Sequence, residues 1–176
     1  THRGLKSAGC NPLIISKHSL YKTQNSTRFG RYQGIPYLAM SYFLNRPDNI
    51  LIRLLNKYSG SLGEFFFLIS KRKKIHSAIA SGVTFFELVY YWLLSRILGF
   101  KLVIQHVEYV SAMQKKRSWW GRLNAHLYDY YRYYFCDGVI VISEYLRNHA
   151  QLCKPDLPLI KIPAICDFNE FAVHTD

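Results

Sequence analysis

Short runs of apolar, often β-branched residues recur along this chain, and stretches with helical spacing separate them. The clearest run is Gly138–Ile142 (GVIVI), which has no polar alternation. A strand of that kind is expected to be buried on both faces, as in a parallel sheet covered by helices. Asn11–Ser16 (NPLIIS), Ile35–Phe43 (IPYLAMSYF), Ile75–Ser81 (IHSAIAS), Lys101–Gln105 (KLVIQ) and Leu159–Ile162 (LIKI) read as further strands. Strands alternating with helices argue for an α/β fold, a doubly wound parallel Rossmann-like sheet. In such sheets ligands bind beyond the carboxyl ends of the strands. That rule selects the loops that start at Ser16, Ser81, His106 and Ser143.

The intervening segments fill in the pattern. Leu5–Cys10 reads as a helix end with Gly9 as its C-cap. The strand that should precede that helix is absent, so the expected sheet lacks its first strand. Lys17–Gly34 is polar and reads as a loop. Pro47-Asp48 opens a helix with Ile50, Leu51, Leu54, Leu55 and Tyr58 at helical spacing, and Gly60-Ser61-Leu62-Gly63 is a candidate break in it. The run Lys71-Arg72-Lys73-Lys74 closes the segment. Cations suit a helix C-terminus, and they equally suit a phosphate, so both readings stand. Thr84–Leu98 is a helix capped by Gly99, Ser118–Phe135 an aromatic helix, and Ser143 the N-cap of a last helix opened by Glu144.

Composition narrows the class. The 176 residues are one domain's worth, with 49% hydrophobic and 19% charged residues, which excludes a disordered chain. The net charge of +12 favours anionic partners. The four cysteines, Cys10, Cys136, Cys153 and Cys166, show no C-x-x-C spacing, which argues against a zinc or redox motif and suits a reducing cytoplasm. Cys136 sits in an apolar run and reads as a small buried hydrophobe. Val83–Phe100 approaches the roughly 20 apolar residues of a membrane span. Glu87 and Arg96 interrupt it, at a cost of roughly 3 kcal/mol each at a helix centre. A mostly buried helix of an α/β domain is the better reading.

From Phe100 to Phe171 the signals fall in a specific order. A glycine, a basic residue, an apolar strand and a histidine (GFKLVIQHVE) come first. A basic loop and a long helix lead to FCDGVIVISEYL, and then to LIKIPAICDFNEF. This order resembles the second half of the N-terminal domain of family-four, glycogen-synthase-like GT-B glycosyltransferases. Asp167 and Phe171 match the acidic-then-aromatic step that leads into that family's donor domain. IHSAIASG resembles the strand ending in an acceptor-facing polar residue, and Ala8-Gly9-Cys10 resembles the end of the first helix. The resemblance implies an acceptor-side domain over residues 1–163 and the start of a linker to a donor-binding domain over 164–176. The family's first strand with its glycine-rich loop, and its donor domain with paired glutamates, have no counterpart in this chain. This portion alone is therefore expected to be inactive.

The resemblance also proposes a site. It places His106 near the reacting sugar and acceptor, as a hydrogen-bond donor with a near-neutral pKa. The competing reading is a structural histidine. Glu108 would bind acceptor hydroxyls or orient His106, or else is a solvated carboxylate. Tyr109 would stack on a sugar or cover the loop. Arg117, with Lys115 and Lys116 beside Trp119 and Trp120, would meet a phosphate-bearing, lipid-linked acceptor at a membrane surface. An ordinary solvated charge run explains the same residues. Ser143 and Glu144 open a helix towards the cleft, although Ser143 is first of all a cap. Ser81 is a further acceptor-side candidate. The aromatic stripe Tyr128, Tyr130, Tyr131, Tyr133, Tyr134 and Phe135 reads as helix packing.

The implied activity is retaining transfer of a sugar from a nucleotide-sugar donor to a cell-surface polysaccharide or glycolipid acceptor. It would use no metal and no cofactor, and would take place in the cytoplasm with peripheral contact at the inner face of the membrane. Nucleic acid is not an expected partner. The alternative is a non-enzymatic basic α/β module that binds anionic membrane or nucleic acid. No helix-turn-helix or zinc-finger signature supports it. G-x-G-x-x-G and P-loop signatures of other Rossmann-like enzymes are also absent.

Overall fold

A computed structural model describes residues 9–17, 27–32, 34–45, 47–109 and 118–162. The chain forms two compact units, Thr1–Lys71 and Arg72–Asp176. The expected domain boundary at 163 lies outside the described residues.

In the first unit, β1 (Ile14–Ser16) pairs in parallel with β3 (Ile35–Ala39), and β2 (Phe29–Tyr32) pairs antiparallel with β3. The strand β2 falls inside the segment that its polarity marks as a loop. Its residues are mostly exposed, so no apolar alternation announces it. Gly34, at φ 79°, supplies the left-handed turn between β2 and β3. Helix α1 (Ile50–Lys71) is continuous through Gly60-Ser61-Leu62-Gly63, where the sequence suggests a break. The reason is a close approach: a Cβ on Gly60 would stand 2.1 Å from the Lys17 carbonyl oxygen. Glycine is there to admit the neighbouring backbone, not to end the helix. The inward face of α1 is the row Asn56, Gly60, Glu64 and Leu68, one residue every four. Asn56 binds both backbone groups of Phe43, accepting from its N–H at 2.7 Å and donating to its carbonyl at 2.9 Å. Ile50, Leu51, Leu54, Leu55 and Tyr58 stand exposed.

The second unit holds an all-parallel sheet in the order β4-β5-β6-β7: Ser77–Ala80, Lys101–His106, Gly138–Val141 and Leu159–Lys161. Between them run α2 (Phe85–Leu98), α3 (Trp119–Tyr131) with a 3-10 turn at Arg132–Phe135, and α4 (Glu144–Cys153). This is the parallel α/β architecture that the strand–helix alternation predicts. Parallel strands in sequential order, joined by the usual right-handed crossovers, are expected to carry their connecting helices on one face. One core joins them there: Leu88 of α2, Tyr128 of α3, Tyr133, and Leu146 and Ala150 of α4, against Leu102, Ile104, Val139 and Val141 of the sheet. On the opposite face Ile79 and Ile160 are exposed, while Ile140 between them in the sheet is buried. All four residues of β6 are buried, as the GVIVI run requires.

Local signals set the ends. Thr84 and Glu87 form a reciprocal capping box at the start of α2, and Gly99, at φ 81°, ends it. Helix α2 is only partly buried, with Phe86, Leu93 and Ile97 exposed, so it is a two-sided surface helix where the sequence reading had it mostly buried. No helix among the described residues is long and apolar enough to cross a membrane. Cys136 is buried, and burial pushes its thiol up to about 11.

Asp137, between the aromatic turn and β6, ties three elements together. Its carboxylate accepts from the Leu102 N–H at 2.9 Å and from the Arg96 guanidinium at 3.0 Å, while its own N–H donates to the Leu102 carbonyl at 2.7 Å. Burial works to raise its pKa. The Leu102 N–H and the Arg96 charge, helped by Lys101, outweigh burial and hold it below the usual carboxylate range. A carboxylate with a depressed native pKa adds stability above its unfolded value and loses it as the pH falls through the native one. Asp137→Ala should therefore unfold at lower urea than wild type near neutral pH, and the gap should close on acidification below the ordinary carboxylate range. A gap that stays constant with pH would contradict the clamp.

Candidate functional site

Parallel pairing lines up the carboxyl ends of the strands. Ala80 pairs with Ile104, His106 with Val141, and Val141 with Lys161. Ser81, His106, Glu108, Tyr109, Ser143 and Glu144 therefore follow strands that end along one edge of the sheet. Arg117, Lys115, Lys116, Asp167 and Phe171 lie outside the described residues.

His106 is the last residue of β5 and only 1% exposed. Strand alternation explains this: Leu102, Ile104 and His106 all point into the helix layer, while Lys101, Val103 and Gln105 do not. Its Nδ1 lies 2.8 Å from the Tyr133 hydroxyl, and its Nε2 has no hydrogen-bond partner among the described residues. The Tyr109 ring makes a T-shaped contact with it at a centroid distance of 5.4 Å. Burial first, then the charge of Arg132 and the neighbouring His149, drive its pKa down to about 3, against the opposing pull of the Glu108 backbone carbonyl. The near-neutral pKa expected from the sequence is thus corrected. His106 is a neutral imidazole across the physiological range.

Arg132 is the electrostatic centre of this layer. It is fully buried and paired with Asp129 one helical turn earlier. Its guanidinium lies 4.7 Å from the Tyr128 ring centroid, 5.4 Å from that of Tyr109 and 5.8 Å from that of Tyr133. Aromatic faces of this kind stabilise a desolvated cation by about 2 kcal/mol. Nε and Nη1 of Arg132 have no hydrogen-bond partner among the described residues. Tyr109 also packs on Tyr145 and His149 of α4. Its hydroxyl is pushed up to about 12, by burial and then by Tyr145.

The other candidates sit nearer the surface. Ser81 and Glu108 are exposed. The Ser143 hydroxyl accepts from the Leu146 N–H at 3.3 Å and so caps α4, as its position before a helix predicts. Glu144 pairs with Lys161 of β7 and lies 3.6 Å from Arg147. Hydrogen bonding from Lys161 holds its pKa below the usual range. A depression of about 330 Å³ between α4 and β7 is lined by Arg147, Gln151, Leu157, Leu159, Ile160 and Lys161, none of them an expected site residue. Among the described residues no group of three His, Cys, Asp or Glu side chains is placed to hold a metal ion.

The structure brings His106 and Tyr109 together and adds Arg132, Tyr133 and His149, which sequence reasoning read as helix packing or passed over. Their signal was faint. Tyr133 and Arg132 lie in an aromatic stripe whose members look alike, and nothing in the sequence singles out His149 as their neighbour. No protein-family model matches the chain, and no curated protein matches it.

The depressed pKa of His106 makes a measurable claim. The unfolded chain takes up a proton near the ordinary value of 6.5, whereas native His106 refuses one until about 3, so stability falls across that window as the pH drops. Urea denaturation at stepped pH should show a shallower decline for His106→Gln than for wild type. Equal slopes would contradict the burial of a neutral imidazole.

Proposed function

We propose that this chain is the acceptor-side half of a retaining GT-B glycosyltransferase resembling the family-four group, acting on a nucleotide-sugar donor and a polysaccharide or glycolipid acceptor. The observation that carries the reading is the position of His106 and Tyr109 at the carboxyl end of a strand with a parallel neighbour on each side. That is the edge where parallel α/β sheets bind ligands. His106 is buried and neutral at that edge, so it adds no charge there and stands behind Tyr109, whose ring it contacts. Glu108 and Ser81, both exposed beside it, supply polar groups for acceptor hydroxyls. Glu144, exposed at the start of α4 and paired with Lys161, supplies a further carboxylate for acceptor hydroxyls. The nucleotide of the donor would be held mainly by a second domain, and a lipid-linked acceptor would bring the protein to a membrane surface.

A second reading, a basic module binding anionic membrane or nucleic acid, draws on exposed groups. Lys71, Arg72, Lys73 and Lys74 are all exposed, and Trp119 and Trp120 are 60% and 66% exposed. Basic residues with exposed tryptophans suit a lipid interface.

The test is nucleoside-diphosphate release from a panel of nucleotide sugars by the full gene product, with and without lipid extract. Acceptor-dependent release is expected, with His106→Ala lowering it by about 10²-fold, the low end of the effect of one positioned hydrogen-bonding group in a site. No release from any donor, together with tight binding to anionic vesicles, would overturn the transferase reading in favour of the basic module.

A further inference from the structure

One buried hydroxyl serves two imidazoles. Tyr133, with 0% of its surface exposed, places its phenolic oxygen 2.8 Å from Nδ1 of His106 and 3.3 Å from Nδ1 of His149. Ring contacts hold the trio together. The Tyr133 centroid lies 5.8 Å from that of His106 and 5.7 Å from that of His149. Burial raises the pKa of Tyr133 despite the nearby Arg132, so the phenol keeps its proton. Burial and Arg132 also hold both histidines below their ordinary values, which leaves both rings neutral.

A neutral imidazole has one N–H and one bare nitrogen, and a phenol has one proton to give. The Tyr133 hydroxyl can donate to one Nδ1 only. For both contacts to be hydrogen bonds, the other Nδ1 carries a proton and donates to the phenolic oxygen; the remaining hydrogen-bonding neighbour of the His149 ring among the described residues is the Cys153 sulfur, at 3.8 Å from Nε2. The two histidines are therefore held in opposite tautomers. Bond length separates the two possible directions, because O–H donors make shorter hydrogen bonds than N–H donors. The shorter contact is the one to His106.

We propose that Tyr133 is a positioning residue that donates its hydroxyl proton to Nδ1 of His106 while accepting one from Nδ1–H of His149, so that His106 carries its own proton on Nε2. The atom left without a partner among the described residues is then a donor. Such a group is a hydrogen-bond donor held inside the layer and does not serve as a general base. Its use in sugar transfer rests on the acceptor-site reading, but the tautomers themselves do not.

Long-range ¹H–¹⁵N correlation spectra of the imidazoles distinguish protonated from bare ring nitrogens. They would be recorded near neutral pH, without sugar or nucleotide, on wild type and on Tyr133→Phe. The expected wild-type result is a bare Nδ1 and protonated Nε2 in His106, with the reverse in His149. In Tyr133→Phe, His106 should lose its single tautomer and become a mixture. A proton on Nδ1 of His106 in wild type, the same tautomer in both histidines, or an unchanged His106 in the variant would each overturn the assignment. Should Tyr133→Phe fail to fold, the wild-type spectrum alone decides. Because no substrate is present, a chain with the stated tautomers that shows no transfer would sink the transferase reading and leave the role of Tyr133 intact.

Discussion

The parallel ladder through β5 is the constraint on which the second unit depends. Pairing of β5 with β4 on one side and β6 on the other fixes where each strand stops, and with it which residues stand together at the carboxyl edge. Asp137 secures that ladder where it starts, by holding Leu102 at both its N–H and its carbonyl. Gly138 follows because a Cβ there would stand 3.3 Å from the Pro158 carbonyl oxygen. The same alternation that buries Leu102 and Ile104 carries His106 inward. Its polar ring is thus placed in the helix layer by the geometry of the strand.

Burying His106 beside Arg132 creates an electrostatic problem that the aromatic residues offset. A desolvated guanidinium costs several kcal/mol unless paired and surrounded by polarisable groups. Asp129 neutralises it, and Tyr109, Tyr128 and Tyr133 present their rings to it. A second charge on His106 would lie in the same layer, so the imidazole stays neutral, and its Nδ1 takes a neutral partner, the Tyr133 hydroxyl. The abundance of tyrosine in the stretch 128–134 has a physical use here. Tyr128 and Tyr133 fill volume and lie against the Arg132 guanidinium, and the Tyr133 hydroxyl reaches two histidines.

Much of the second unit was legible in the sequence. GVIVI announced a strand buried on both faces, Thr84 and Gly99 bounded a helix, and Ser143 announced a cap. Each of these rests on local chemistry. The first unit was harder to read. The strand β2 pairs through its backbone while its side chains stay mostly in solvent, and Gly60 of α1 is explained by the Lys17 backbone, far away in sequence. The site was half legible. The position of His106 at a strand end followed from the pattern, and counting by twos from Leu102 would also have shown it pointing inward. Its partners could not be read, because Tyr133 and His149 come from elements brought together only by packing.

Sugar binding at the carboxyl edge of the parallel sheet, as proposed, is open to direct measurement. Titrating the ¹⁵N-labelled chain with nucleotide sugars and with oligosaccharides, and following its backbone amides, tests it most directly. The account predicts saturable shifts at Ser81, Val107, Glu108 and Tyr109, on the loops that follow β4 and β5. Shifts confined to Arg72–Lys74 and Trp119–Trp120, or no shift with any sugar, would contradict it.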